Sequence, residues 1–240
     1  MQHYFLAKHA FACAIGADVI VLDLKRDKYL AFERDFWEPI VRRIGGWPLQ
    51  DATVRNAAAA PNAAALSALM ANGLLTEDSD AGKDATPASI VTASVSLIED
   101  FRVQPPRIRM SHVFVFVGAI VAASIRLRLQ PIEKIVQRVR AKTEEGLGSR
   151  ALLSPIDLAT LRDLTEVFRR LRPLLFSSRD HCLFESLALL NFLSHYRIHP
   201  SWVFGVATAP FAAHCWLQLG GFACNDSLDQ VRRFTPIMVI

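Results

Sequence analysis

The last forty residues, "SWVFGVATAPFAAHCWLQLGGFACNDSLDQVRRFTPIMVI", alternate apolar and other side chains and are cut at Ala209-Pro210 and Gly220-Gly221. Alternation broken by turn dipeptides predicts consecutive antiparallel strands. The chain before them has helical periodicity over about Val95–Arg102, Met110–Arg128, Pro131–Lys142 and Ser154–Leu175, then in "DHCLFESLALLNFL" from Asp180. Helices first and antiparallel strands last define an α+β domain, placed at residues 95–240. A chain of 240 residues buries a sufficient core without disulfide or metal staples.

The amino-terminal part has a different pattern. Residues 10–32, "AFACAIGADVIVLDLKRDKYLAF", hold three β-rich runs separated by Gly-Ala-Asp and Lys-Arg-Asp-Lys turns, which predicts a three-stranded meander. Phe36, Trp37, Ile40, Val41 and Ile44 then recur at helical spacing up to Gly45-Gly46. A second helical stretch, "LQDATVRNAAAA", stops at Pro61, and a third, "NAAALSALMANGLL", has Asn62 as its cap and Gly73 as its stop. Three strands and three helices predict a small winged-helix-like module at residues 1–76. The polar, unpatterned "TEDSDAGKDATPASIVT" after it reads as a linker, placed at 77–94.

Composition excludes several classes. With 52% hydrophobic and 21% charged residues the chain is globular rather than disordered. Cys13, Cys182, Cys215 and Cys224 form no CxxC pair and no zinc-type cluster, so no metal is expected, and free thiols fit a reducing cytoplasm. The start "MQHYFLAKHAFACAIG" lacks the sustained apolar core of a secretion signal. The longest apolar run, Val113–Ile125, falls short of the roughly 20 residues that span a bilayer and predicts a buried or interfacial helix without stable membrane insertion. No Gly-rich phosphate loop is present, so no nucleotide or other cofactor is expected. The formal charge of +4 is concentrated in basic helices between Arg102 and Arg172, which read as a solvated face and, secondarily, as a surface for an acidic partner or membrane.

Chemistry concentrates in the carboxy-terminal domain. A thiol becomes a nucleophile as thiolate, and the first turn of a helix favours that form through unpaired N–H groups and the helix dipole. Cys182 occupies such a position, with Asp180 as expected N-cap and Leu183, Leu187 and Leu190 as the anchoring face. On this evidence alone, small-core packing of the cysteine stands ahead of catalysis. In "AHCWLQL", alternation sets His214, Trp216 and Gln218 on one face and Cys215, Leu217 and Leu219 on the other, where Cys215 is expected to pack, as is Cys224. His181 reads as exposed or as a local hydrogen-bond partner, and His195 and His199 as helix-end and loop residues.

Across Gly220-Gly221, "FACNDS" offers Asn225 and Asp226 to orient the imidazole. A two-residue loop pairs Leu219 with Phe222 and puts Asn225 on the histidine's face, whereas a three-residue bulged loop brings Asp226 round instead. A cysteine at a helix start, a histidine on a strand and an acid or amide after the next turn is the order of Cys-His-Asp/Asn enzymes.

Cys182 in "DHCLFESLALLNFL", His214 in "AHCWLQL", Asp226 in "NDS" and the ending "LDQVRRFTPI" carry a resemblance. The chain resembles the lasso peptide biosynthesis B proteins of the fused type, in which a leader-peptide recognition domain precedes a transglutaminase-like (papain-like) cysteine protease. The resemblance implies a cytoplasmic leader peptidase that frees the core α-amine of a lasso precursor. An asparagine-synthetase-like macrolactam synthetase would then act on that amine. It also implies Cys182, His214 and Asp226 as the catalytic set, hence the bulged hairpin. Cys215 and Gln218 depart from the small residue and acid that this family more often carries there.

Residues 1–76 are similar to the small winged-helix peptide chaperone of pyrroloquinoline quinone synthesis. The strand Lys28, Tyr29, Leu30, Ala31 and Phe32 is expected at a sheet edge that accepts an extended leader as an added strand, with Leu66, Leu69 and Met70 as the other wall. Nucleic-acid binding is disfavoured, because "NAAALSALMANG" has no Lys or Arg. Two readings compete with the peptidase: a catalytically inactive scaffold that delivers precursor to the synthetase, and an acyltransferase, for which no carrier-binding feature is present. The basic helices are the expected docking surface for the synthetase.

Overall fold

In the computed structural model the described residues are 3–16, 18–33, 36, 40–41, 43–47, 63–99, 106–148, 158–174 and 182–240. The chain divides into one compact unit of Met1–Ser89 with Val206–Ala212 and Thr235–Met238, and a second of Ile90–Gly205, Ala213–Phe234 and Val239–Ile240.

The first unit begins with a short strand, β1 (Phe5–Ala7), followed by the meander of β2 (Ala10–Ile15), β3 (Asp18–Asp23) and β4 (Lys28–Glu33). The meander turns where the Gly-Ala-Asp and Lys-Arg-Asp-Lys signals stand. Its order is β2-β3-β4, so among the described residues β4 is an edge, while central β3 is buried on both faces, as its unbroken "VIVL" run requires. Helix α1 (Ala63–Ala71) ends in a Schellman closure: Gly73 adopts φ +67° and donates to the Met70 carbonyl, and Leu74 N–H reaches back to Leu69. Gly73 takes this left-handed conformation at little cost. Leu6, Val19, Val21, Ile40, Leu69 and Leu74 lie in one core cluster.

The stretch read as a linker carries structure. β5 (Leu75–Thr76) and β6 (Gly82–Lys83) pair antiparallel with the two sides of β1, and Ala85 N–H donates to Gly45 O. These pairings join residues some seventy positions apart, and no periodicity within 76–92 encodes them. The expected helix over Leu49–Ala60 and the Asn62 cap lie outside the described residues.

Asp23, fully buried, clips the β3–β4 turn. Its carboxylate accepts from the backbone N–H of Lys25 (3.0 Å) and Arg26 (3.2 Å) and from Arg26 Nη1 (2.8 Å). Arg26 Nη1 also donates to Asn72 O at 2.7 Å, joining the turn to the end of α1.

In the second unit, Val95–Ser96 is a strand, β7, rather than the start of the expected helix. It pairs parallel with Phe222–Ala223, and Val95 and Leu97 donate to Gly221 O and Ala223 O. That non-local pairing overrides the local helical pattern. There follow α2 (Met110–Leu129), α3 (Ile132–Gly148), α4 (Leu158–Leu171) with a 3-10 turn at Arg172–Leu174, and α5 (Cys182–His195). The tail forms β8 (Ser201–Thr208), β9 (Phe211–Leu219), β10 (Phe222–Ala223), α6 (Leu228–Arg232) and β11 (Thr235–Val239), in a sheet of order β11-β8-β9-β10-β7.

Helix α5 lies in the core: Ser186–Leu190, Phe192 and Leu193 are all buried. Phe116 of α2, Phe168 of α4 and Phe192 of α5 form a chain of tilted rings with centroids 5.2 and 5.6 Å apart. Arg126 Nη1 donates to Asn191 Oδ1 at 2.7 Å. The apolar run at 113–125 sits inside α2, which by length and composition is long enough to cross a membrane. Its Phe116, Ala119, Ile120 and Ala123 are buried, while Phe114, Val121 and Ile125 are exposed.

Replacing Asp23 with Ala is expected to lower stability by about 1–3 kcal/mol at neutral pH, because buried donors lose their acceptor. Burial alone would raise the Asp23 pKa, but the side-chain and backbone hydrogen bonds from Arg26 hold it below the ordinary value. A depressed carboxylate stabilises at higher pH and loses that contribution as pH falls through its folded value. Urea unfolding of wild type and variant should therefore differ at pH 7 and begin to converge only as the pH falls below about 3.9.

Candidate active site

Helix α5 begins at Cys182, so the thiol stands in the first turn, at the positive end of the helix dipole, while the helix body is held in the core. Asp180 and His181 lie outside the described residues. On β9, His214 is half-buried and Trp216 wholly buried.

The β9–β10 hairpin settles its register in favour of the two-residue turn, with Leu219 opposite Phe222 and Gln218 opposite Ala223. The expected bulge is absent, yet the histidine's partner is Asp226. The ladder explains both facts. β10 pairs for two residues only. Cys224 N–H donates to Leu217 O at 2.9 Å, and Leu217 N–H is taken by the Asn225 side chain at 2.8 Å. Asn225 thus substitutes for a strand carbonyl, and the chain then leaves the ladder, so strict alternation no longer assigns faces.

Asp226 is fixed on several sides. Oδ2 pairs with His214 Nε2, Oδ1 accepts from Ser227 N–H at 3.0 Å, and its carbonyl accepts from Ser96 Oγ at 2.8 Å. Ser227 caps α6 by accepting from Gln230 N–H at 3.1 Å. With Nε2 on the carboxylate, Nδ1 is left for Cys182, to which His214 is also hydrogen-bonded.

The charges are coupled. A hydrogen bond from the Cys215 thiol, against the opposing effect of burial, lowers the Cys182 pKa to about 4, with further help from His214 and the Cys215 backbone N–H. Burial works to lower the His214 pKa, but hydrogen bonds to Asp226 and Cys182 overcome it and raise the value to about 9. Between those limits the resting pair is thiolate and imidazolium.

Sequence reasoning did not find Glu185. Its carboxyl is pushed up to about 7 by burial, opposed by Arg172, whose Nη1 lies 2.8 Å away, and it interacts with Asp226, Cys182 and His214. Its position three residues after Cys182 on a helix was the available signal. Phe234, 5.1 Å from the His214 ring, had no such signal. Trp216 lies beside the imidazole with ring centroids 6.2 Å apart and nearly parallel planes, and donates to Gln218 Oε1 at 3.1 Å. Gln218 in turn donates to Val91 O and Gly220 O, so it ties the hairpin turn to the strand entry. A Cβ at Gly205 would stand 2.8 Å from the Trp216 ring and 2.8 Å from the Phe234 Cβ.

The sequence model of the transglutaminase-like superfamily matches residues 119–239, just over half the chain and all three of Cys182, His214 and Asp226. The chain belongs to the transglutaminase-like superfamily. No curated protein and no solved structure matches it. The thiolate, imidazolium and carboxylate of this transglutaminase-like domain can perform nucleophilic acyl chemistry. Among the described residues no group of three His, Cys, Asp or Glu side chains is arranged to hold a metal ion.

In the first unit, Lys28–Phe32 lie on edge strand β4 with Lys28 and Ala31 exposed and Tyr29, Leu30 and Phe32 half-buried. Leu66 and Met70 are half-buried on the same core cluster as Leu30 and Phe32. Leu69 differs from its expected place in a binding wall: at 2% exposure it is core, facing inward from α1.

Two outcomes follow for the transglutaminase-like domain. Asp226→Asn removes a charge that holds His214 protonated, so in an NMR titration the His214 ring should lose its proton at a pH lower by about one unit or more. Gly205→Ala should cost about 1–3 kcal/mol in thermal or urea unfolding, as overpacking does.

Proposed function

We propose that this chain is a leader peptidase of lasso peptide maturation, with Cys182 as nucleophile, His214 as acid-base and Asp226 as its orienting partner. The observation that carries this reading is the hydrogen-bonded series Cys182–His214–Asp226 at the start of a core helix. The presence of edge strand β4 earlier in the same chain supports leader recognition.

The Cys182 thiolate attacks the carbonyl carbon of the leader-core amide. Its oxyanion forms against the Cys182 backbone N–H at the open end of α5. Protonated His214 gives its Nδ1 proton to the leaving core amine, and the bond to that nitrogen breaks. Neutral His214 then takes a proton from water, whose oxygen attacks the thioester carbonyl and releases the leader carboxylate and the thiolate. Asp226 keeps the ring oriented and stabilises the imidazolium at both steps. The freed α-amine passes to an asparagine-synthetase-like macrolactam synthetase, the partner of a cytoplasmic pathway.

Leader binding is by strand addition. The peptide lies along Lys28–Phe32 as an added strand beside β4, while Leu66 and Met70 supply apolar contacts at its side.

The test is incubation with a lasso precursor, with and without the synthetase, read by mass spectrometry. Wild type should release the leader and Cys182→Ala should not. Equal release by both would remove Cys182 from the chemistry. Leader bound but uncut by wild type beside an active synthetase would identify a scaffold. In hydrogen exchange, added leader should protect amides of residues 28–33, and protection elsewhere alone would refute strand addition at β4.

A further inference from the structure

Alternation on β9 sends Cys215 to the face opposite His214, where packing is its expected role. That face is turned to α5, and the thiol meets polar groups there. Trp202 Nε1 donates to Ser186 Oγ at 2.9 Å, and Ser186 Oγ lies 3.3 Å from Cys215 Sγ. The Cys215 thiol is in turn hydrogen-bonded to Cys182. Trp202 and Ser186 have no exposed surface and Cys215 retains 2%, so water does not compete for these bonds.

Indole N–H can only donate, so Ser186 Oγ accepts from Trp202. The one Ser186 hydroxyl hydrogen has the Leu183 carbonyl at 3.2 Å within reach, and Cys215 Sγ lies 3.3 Å from the same oxygen. The hydrogen bond with Cys182, and then burial, raise the Cys215 pKa well above its ordinary value. Cys215 therefore keeps its proton and presents it to the other sulfur.

We propose that Cys215 is a positioning residue for the nucleophile: its thiol, backed by Ser186 and Trp202, donates a hydrogen bond to the Cys182 sulfur and holds it as a thiolate facing His214. The assignment deepens the cysteine-nucleophile reading above and rests on it for its catalytic meaning. The other titratable groups coupled to the sulfur are His214 of β9 and Glu185 of α5 itself, while Asp226 after β10 and Arg172 from the turn after α4 are coupled to Glu185 in turn. His214 favours the thiolate, whereas Glu185, once ionised, opposes it. Cys215 adds a donor without adding charge, so it sustains the thiolate without competing with Asp226 for the imidazole. A thiolate relieved of a donor is also intrinsically more reactive.

The decisive measurement is the pH profile of Cys182 alkylation by iodoacetamide, followed on its own peptide by mass spectrometry in the full-length chain. It needs no precursor, so it separates failure of this proposal from failure of the peptidase assignment. Cys215→Ala should move the midpoint up by about one to two pH units, as expected for loss of a hydrogen bond to a charged group, with a plateau rate equal to or above wild type. Cys215→Ser, which keeps a donor, should restore most of the shift, and Ser186→Ala should give a smaller shift in the same direction. An unmoved midpoint in Cys215→Ala, or in Ser186→Ala should the first variant not fold, would overturn the proposal and return Cys215 to packing. In leader release, Cys215→Ala should lower kcat chiefly on the acid side of the profile and leave KM unchanged.

Discussion

The second unit is organised around one constraint: a helix that is apolar almost all round begins with a charge. Burying α5 against α2 and α4 supplies the hydrophobic stabilisation, and the Phe116–Phe168–Phe192 chain anchors its second half. An ion there costs several kcal/mol unless it is paired and hydrogen-bonded. Every feature of the site answers that demand. His214 supplies the counter-charge and Asp226 keeps the counter-charge protonated. Cys215 adds a thiol and a backbone N–H. Trp216 and Phe234 flank the imidazole, and a glycine at 205 is what lets both approach.

The first unit meets a different requirement. Among the described residues its meander ends at β4, a sheet edge of the kind that soluble proteins ordinarily blunt. Here the strand carries Lys28 and Glu33 at its ends and half-buried apolar residues between them. Charges at the ends of an edge strand disfavour indiscriminate pairing. The Asp23–Arg26–Asn72 clip holds the turn leading into β4 against the end of α1, so the edge is rigid at one end.

Local elements were readable wherever local periodicity decided them. The meander turned at its marked dipeptides, α1 stopped at Gly73, and the segments from Met110, Pro131 and Ser154 contain helices. Elements made by distant pairing were not readable. β1, β5 and β6 are two or three residues each and stabilise one another across most of the first unit, and β7 owes its strand conformation to Phe222–Ala223. In the site, Cys182, His214 and Asp226 could be named from residue type and order. The hairpin that joins the last two could not, because Asn225 enters the ladder through its side chain and releases Asp226 from the alternation rule. Glu185 and Cys215 were passed over for a related reason: each acquires its role from a neighbour on another element.

The sequence by itself determined that a chain of this kind has helices followed by strands, a thiol at a helix start, and a histidine on a strand near a carboxylamide and a carboxylate. Those features depend on the spacing of a few residues along the chain, which is where periodicity, capping and turn chemistry act. Only the tertiary structure decided which acid-type residue meets the imidazole, which face of β9 approaches the nucleophile, and that a second thiol stands beside the first. Hydrogen bonding and charge coupling act over a few ångströms in space, and residues that close are here twelve to thirty-three positions apart along the chain.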